Sequence, residues 1–192
     1  MAIQINGDGT ITGISVGGLP DGIVDTDMLA AGAATQAKRT PATGEIIQVV
    51  TKNITNELEL TSLSSSYADM TNFSLAITPT SATSLLYFNL TLAGTKLYDT
   101  SGADHRAYFG LTDDGASSYL QETEFRMYEY GGGYHLGLYH KSPMVISHIK
   151  TAGSTSARTY ALRWKLIQGE GLVVNETSTN EVSTMTITEI KA

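Results

Sequence analysis

The sequence contains no cysteine, only 4 prolines and a charged fraction of only 16%. Without cysteine the chain has neither a disulfide framework nor a thiolate metal site. It also lacks an apolar run of about 20 residues and a basic, apolar leader, which argues against a membrane-spanning helix and a signal peptide. The formal net charge of −7 provides no basic surface for phosphate backbones. We therefore expect no membrane insertion and no nucleic-acid partner.

The residues that are abundant favour strands over helices. Apolar residues make up 41% of the chain, which is enough for a packed core, and glycine occurs 19 times. Threonine and serine are also frequent, and both suit pleated strands and turns better than helix interiors. The composition predicts an all-β protein.

The N-terminal part of the chain differs from the rest. Short apolar pairs are separated by Asn-Gly, Asp-Gly and Gly-Gly turns, so the pieces between them are extended and very short. A brief helix is expected from Asp25 or Thr26 to Lys38, and a small polar segment with a proline follows it. The sequence predicts an extended arm with a short helix and a connector over residues 1–44, then a head domain over residues 45–192.

The apolar residues of the arm have no local core to enter, so they offer a docking surface. A segment of this size buries too little surface to offset its ordering entropy, and an ordered arm therefore requires neighbours. We expect a homotrimer whose arms contact sister chains or a larger assembly. The candidate anchoring residues are Ile11, Ile14, Val16, Leu19, Ile23, Val24, Met28 and Leu29.

In the head, apolar and polar residues alternate with the period of half-buried strands. The predicted core contains Phe73, Leu75, Ile77, Phe88, Leu90, Leu162, Trp164, Leu166 and Ile187. Further strands are expected at residues 45–52, 107–111, 124–130, 134–139, 144–149 and 172–175. About eight to ten strands separated by turns predict an antiparallel β-sandwich of the jelly-roll type.

Residues that could support catalysis or bind a metal do not combine into a site in the sequence. The histidines are His105, His135, His140 and His148. The middle two are five residues apart and would face opposite sides of a strand. The acidic residues Glu122, Glu124 and Glu129 have no fixed separation that would make them a catalytic pair. We expect no enzyme activity, no metal and no cofactor.

Tyrosines concentrate around a run of three glycines at residues 131–133. Rings on an exposed loop can pack against a sugar or a protein, and their hydroxyl groups can donate hydrogen bonds. Packing of the same rings into the sandwich or a subunit interface is the alternative. The candidate receptor-contact residues are Tyr128, Tyr130 and Tyr134.

Several segments resemble structural proteins of tailed phages of the marine and cyanobacterial type. Residues 11–30, ITGISVGGLPDGIVDTDMLA, are similar to an N-terminal segment of fibre-like virion proteins, in which a strand like GEIIQVV at 44–50 usually follows. In the head, SYADMTNFSLAITPTSATS at 66–84 resembles a phage fibre domain. So do TYALRW at 159–164, VVN at 173–175 and STMTITEI at 183–190.

The resemblance implies a non-enzymatic virion protein, commonly trimeric, that is made in the cytoplasm of a host bacterium. We expect a short surface fibre or spike whose N-terminal arm binds other virion proteins of the capsid or tail. Its head would attach to a glycan or protein of the host surface. The same resemblance covers tail fibres, head fibres and capsid decoration or cement proteins, and the chain is short for a tail fibre. A spike that degrades glycans is a further alternative.

Overall fold

Strands dominate the computed structural model, which describes residues 4–5, 11–12, 40–99, 104–113, 118–128, 138–176 and 180–192. The strands are β1 (Gln4–Ile5), β2 (Ile11–Thr12), β3 (Ile46–Ile54), β4 (Leu58–Leu60), β5 (Ala68–Ile77), β6 (Leu85–Asp99), β7 (Asp104–Asp113), β8 (Tyr119–Tyr128), β9 (Leu138–Thr151), β10 (Arg158–Gln168), β11 (Gly171–Val174) and β12 (Ser183–Ile190). The described residues contain no helix, so the expected all-β class is confirmed.

The chain divides into two compact units, Met1–Pro41 and Ala42–Ala192. In the first unit, β1 and β2 pair in antiparallel fashion. Among the candidate anchoring residues, Ile11 lies in β2. The other seven, from Ile14 to Leu29, lie outside the described residues, as does the helix expected to end at Lys38.

The second unit, which we call the head, contains two sheets whose strands all pair in antiparallel fashion. One sheet has the order β5-β10-β7-β8. The other has the order β3-β12-β6-β11-β4, and β9 pairs with the opposite side of β6. The sets β3-β12-β6-β9 and β5-β10-β7-β8 have the strand order of a jelly roll. The predicted antiparallel sandwich is thus confirmed.

The core lies between the two sheets because each strand turns its apolar positions to the same side. Eight of the nine residues predicted for the core are buried, and Leu75 is partly buried against them. The rings of Phe88 on β6 and Tyr160 on β10 meet edge to face, with centroids 4.6 Å apart. This contact joins the middle of one sheet to the middle of the other.

An extra residue in β6 keeps this long strand facing the core along its whole length. Leu92 pairs with Met144 and Thr95 pairs with Ser142, so β6 advances three residues while β9 advances two. Gly94 adopts a φ of 55° at this bulge, a conformation that glycine tolerates best. Without the bulge, the side-chain alternation would turn Leu97 outward, whereas it is fully buried.

The two ends of the head lie side by side. The amide of Gly44 donates to the carbonyl of Lys191 at 2.7 Å, and the amide of Lys191 donates to the carbonyl of Glu45 at 2.8 Å. The last strand, β12, lies between β3 and β6 and pairs with both along most of its length. The sheet is therefore closed by contacts between residues far apart in the sequence.

A buried carboxylate connects the two sheets at one edge. Asp113, at the end of β7, accepts hydrogen bonds from Lys150 Nζ at 2.5 Å and Arg158 Nε at 2.9 Å. Its side chain is 9% exposed, whereas that of Asp69, which pairs with Arg163 at 2.6 Å, is 84% exposed. Solvent weakens an exposed ion pair. Removal of one charge from a buried ion pair leaves the opposite charge without a partner, which is costly.

We expect Asp113→Ala to lower the free energy of unfolding by about 2 kcal/mol, because two partly buried cations lose their shared, buried acceptor. The control Asp69→Ala should lower it by less than about 1 kcal/mol. Urea unfolding of both full-length variants at pH 7 measures the difference. Equal losses would mean that the Asp113 ion pairs do not help to hold the sheets together.

Candidate functional site

The outer surface of the head has one uncharged region, whereas charges lie on the opposite sheet and at the far end of the same sheet, where Lys96 and Lys141 pair with Glu176. On β3, β12, β6 and β9, alternate residues point away from the core because their neighbours fill it. The pairing register arranges them in three rows across the four strands. The rows are Val49, Thr188, Tyr87 and Ile149; Thr51, Thr186, Asn89 and Ser147; and Asn53, Thr184, Thr91 and Val145. We call these twelve residues the uncharged face, because none of them is an acid, lysine, arginine or histidine.

Polar groups on the uncharged face bond to one another. The hydroxyl oxygens of Thr51 and Thr186 are 3.2 Å apart. Thr184 Oγ1 donates to Asn53 Oδ1 at 3.4 Å. The exposed apolar side chains are on the outer strands of this region, on β3 and β9. The face therefore combines internally paired polar groups with apolar margins.

The outer surface of the other sheet carries charges of both signs. Across the strands, Lys165 pairs with Tyr108, which pairs with Glu124. In the adjacent row of the same surface, two residues along the strands, Arg163 pairs with Gly110, which pairs with Glu122. Glu122 and Glu124 thus share one face of β8, as the sequence spacing predicts.

Three tyrosines and one lysine form a compact cluster on this surface. Lys165 Nζ lies 4.3 Å from the ring centroid of Tyr67 and 4.7 Å from that of Tyr108, within the range of a cation–π contact. The rings of Tyr67 and Tyr119 have centroids 4.3 Å apart and are tilted by 40°. We call these four residues the tyrosine–lysine cluster.

Gly110 makes room for the cluster. The ring of Tyr119 lies against the sheet at the position that a Cβ atom of residue 110 would occupy. A glycine in the interior of a strand often marks such a close approach. The glycine therefore allows Tyr119 to lie across the sheet and reach Tyr67.

Carboxylates hold two of the tyrosine hydroxyls. Tyr67 Oη donates to Glu122 Oε2 at 2.5 Å, and Tyr108 Oη donates to Glu124 Oε1 at 3.1 Å. Burial and the hydrogen bond to Glu122 both raise the pKa of Tyr67, and burial and the bond to Glu124 raise that of Tyr108. Both hydroxyls consequently remain protonated donors at neutral pH.

The arrangement suits recognition of a polar ligand. The rings are half-buried, and the exposed carboxylates of Glu122 and Glu124 retain further acceptor positions. Tyrosine rings pack on apolar ligand surfaces, while carboxylates accept hydrogen bonds from hydroxyl groups. The cluster can therefore contact both the apolar ring face and the hydroxyl groups of a sugar-like ligand.

One of the three residues predicted to contact a receptor lies within the described part of the chain. Tyr128 is the last residue of β8, the strand that carries Glu122 and Glu124. Tyr130 and Tyr134 lie outside the described residues. The structure thus brings Tyr128 into the sheet that bears the cluster, while the placement of the other two stays a prediction.

The histidines that the structure describes are dispersed. His105 is buried in β7. His148 on β9 is partly buried, and this burial together with Lys150 lowers its pKa. His135 and the side chain of His140 lie outside the described residues. Within the described part of the chain, no group of three or more histidine or acidic side chains is arranged to hold a metal ion.

Sequence patterns provided little indication of Tyr67 or of the uncharged face. Tyr67 precedes β5 and follows a serine-rich segment, so no periodic pattern marks it. Lys165 and Tyr108 occupy the outward positions of recognisable strands, and this alternation was the available signal. Their neighbourhood depends on the pairing of β7 with β10, which the sequence does not specify.

Within the described residues, no helix is long and apolar enough to cross a membrane.

No protein-family profile and no curated protein matches the chain. The geometry of the outer surfaces is therefore the main structural guide to function.

Proposed function

We propose that the chain is a non-enzymatic structural protein of a phage virion. It forms a short homotrimeric surface spike, its N-terminal arm attaches it to the particle, and its head binds the surface of the host bacterium. The observation that carries this proposal is the tyrosine–lysine cluster with its two carboxylates on the outer surface of a rigid sheet. Such a surface suits recognition of host material without chemical change of the ligand.

The segments that resemble phage fibre proteins support the proposal from a second direction. Residues 66–84 supply β5 and the turn that leads to β6, and residues 159–164 lie in β10. Residues 183–190 coincide with β12. The resemblance thus falls on strands that build both sheets of the sandwich, not on a peripheral loop.

The site of recognition extends along β8. Glu122 and Glu124 hold the cluster at one part of this edge strand, and Tyr128 ends it. The candidate receptor residues Tyr130 and Tyr134 follow in sequence. Because these residues end the strand or follow it in sequence, we propose that they and the cluster serve the same recognition.

Three populations of particles test the proposal: wild type, a deletion of residues 1–39, and the double variant Tyr108→Ala with Lys165→Ala. The double variant should enter particles normally, because its changes lie outside the arm. Its adsorption to the bacterium used for propagation should slow by about tenfold, since loss of ring and cation contacts removes about 1–2 kcal/mol. The deletion should remove the protein from particles altogether.

Mass spectrometry of purified particles measures occupancy, and loss of free phage with time measures adsorption. If the variant that lacks residues 1–39 is present in particles at the normal level, the arm does not anchor the protein. If the double variant adsorbs normally but wild-type protein lies flat on the capsid by cryo-electron microscopy, the protein is a decoration or cement protein. If the wild-type protein cleaves host polysaccharide, the proposal that it is not an enzyme is wrong.

A further inference from the structure

We propose that the uncharged face is the surface by which one copy of this chain packs against another. The inference rests on the homotrimer of the proposed function and identifies the surface that forms it. Each copy would turn its β3-β12-β6-β9 sheet toward the shared axis and leave the tyrosine–lysine cluster facing solvent. Assembly and recognition would then use opposite sides of the sandwich.

The charge distribution favours this face over the outer surface of the opposite sheet. The chain carries a net charge of −7, so its copies repel one another in general. The twelve outward residues of the face contribute no charged group. The other sheet would bury Arg163, Lys165, Glu122 and Glu124, and removal of such groups from water is costly. The cores of protein interfaces are accordingly poor in charged residues.

The polar groups of the face are prepared for burial. A buried hydroxyl or amide is costly when it has no hydrogen-bond partner. Here the hydroxyl of Thr51 bonds with that of Thr186, and the hydroxyl of Thr184 donates to Asn53. Asn89 Nδ2 donates to Tyr87 Oη at 3.3 Å. These contacts lie within one copy and persist when a second copy covers them. Burial of the face therefore leaves these three pairs satisfied.

The apolar residues of the face lie where neighbouring copies would meet. Val49 on β3 is 53% exposed, and Val145 and Ile149 on β9 are 58% and 56% exposed. These strands form opposite margins of the face. Around a rotation axis, the β9 margin of one copy meets the β3 margin of the next, so apolar side chains contact apolar side chains at each junction.

The size of the face is adequate for a weak to moderate interface. Four strands about 4.8 Å apart and about seven residues long cover a flat area of about 450 Å². In a trimer each copy shares its face between two neighbours, so three faces supply about 1,350 Å² of flat area in total, about 450 Å² at each junction, and side-chain relief adds to this. A second copy is therefore a sufficient occupant.

The absence of cysteine allows a direct test by thiol labelling. Ser147→Cys places one thiol on the uncharged face, and Thr159→Cys places one on the opposite sheet. Both positions are exposed in the single chain. In the native full-length protein, maleimide should label position 147 about tenfold more slowly than position 159, because access controls thiol reactivity. In urea the two rates should be equal.

Charge introduction provides a second test that does not depend on labelling. Thr186→Lys places three like charges near the axis and should weaken association at least about a hundredfold. Thr159→Lys is the matched control and should leave association unchanged. Native mass spectrometry and sedimentation report the oligomer, and circular dichroism establishes that both variants retain their strands.

The outcomes separate this inference from the proposed homotrimer. A wild-type trimer with equal labelling at positions 147 and 159, and with Thr186→Lys still trimeric, overturns the interface and leaves the trimer intact. A dimer with a protected position 147 supports the interface and overturns the trimer. A wild-type monomer at micromolar concentration overturns both.

Discussion

Replacement of Phe88 with alanine should lower the free energy of unfolding by about 3–5 kcal/mol, the largest effect we expect from a single core substitution. The ring is fully buried on β6, and it meets Tyr160 of the opposite sheet edge to face. Truncation removes the transfer free energy of the ring and leaves a cavity that flat, hydrogen-bonded sheets can fill only in part. The substitution would also remove the ring contact with Tyr160 that joins the centres of the two sheets.

Tyr108→Ala provides the control, since it also removes one aromatic ring from a central strand. That ring lies on the outer surface and is half-buried, so the expected loss is below about 1.5 kcal/mol. Urea unfolding at one fixed protein concentration keeps the contribution of association constant. A loss of under 2 kcal/mol for Phe88→Ala would mean that the sheets are not packed through this ring.

Glu189→Gln should lower the free energy of unfolding by about 2–4 kcal/mol at neutral pH. Glu189 is fully buried on β12 and accepts hydrogen bonds from Gln48 Nε2 at 2.6 Å. It also accepts from the amide and hydroxyl of Thr80, both at 2.8 Å. An amide group in place of one carboxylate oxygen would face these donors with a donor of its own. Exposed Glu57→Gln is the control and should change stability by less than about 0.5 kcal/mol.

The effect of Glu189 should depend on pH in a defined direction. Burial alone would raise its pKa, but the hydrogen bonds from Gln48 and Thr80 outweigh burial and hold the pKa below the ordinary 4.5. Because the folded-state pKa is the lower one, the carboxylate stabilises the fold above about pH 4.5 and loses this contribution as the pH falls further. The difference between wild type and Glu189→Gln should therefore narrow in acid. A difference that is constant from pH 7 to pH 3 would contradict this account.

The sequence predicted the sandwich because alternation is a local property. The runs around Phe73, Leu90 and Leu162 alternate with period two, and each one forms a strand with its apolar side in the core. Strand starts were less well predicted: a strand was expected to begin at residue 124, whereas β8 begins at Tyr119. The short strand β4 was missed, since three residues are too few to display a period.

The surfaces could not be predicted, because they depend on which strands are neighbours. Val50 pairs with Ile187, and no local pattern connects positions so far apart. The uncharged face appears only when this register places outward residues of four strands in common rows. Glu189 has the same alternation as Met185 and Ile187, but neither its burial nor its partners Gln48 and Thr80 were predicted.

The place of β12 in the sheet has a consequence for the order of events during synthesis. This strand is synthesised after the other described strands, yet it fills the gap between β3 and β6. Until then both neighbours present unpaired edges, which are prone to pair with other chains. The column of Thr184, Thr186 and Thr188 at the middle of the uncharged face is also missing. A chain whose translation stops before β12 thus lacks the finished surface, so the proposed interface would select copies in which this strand is complete.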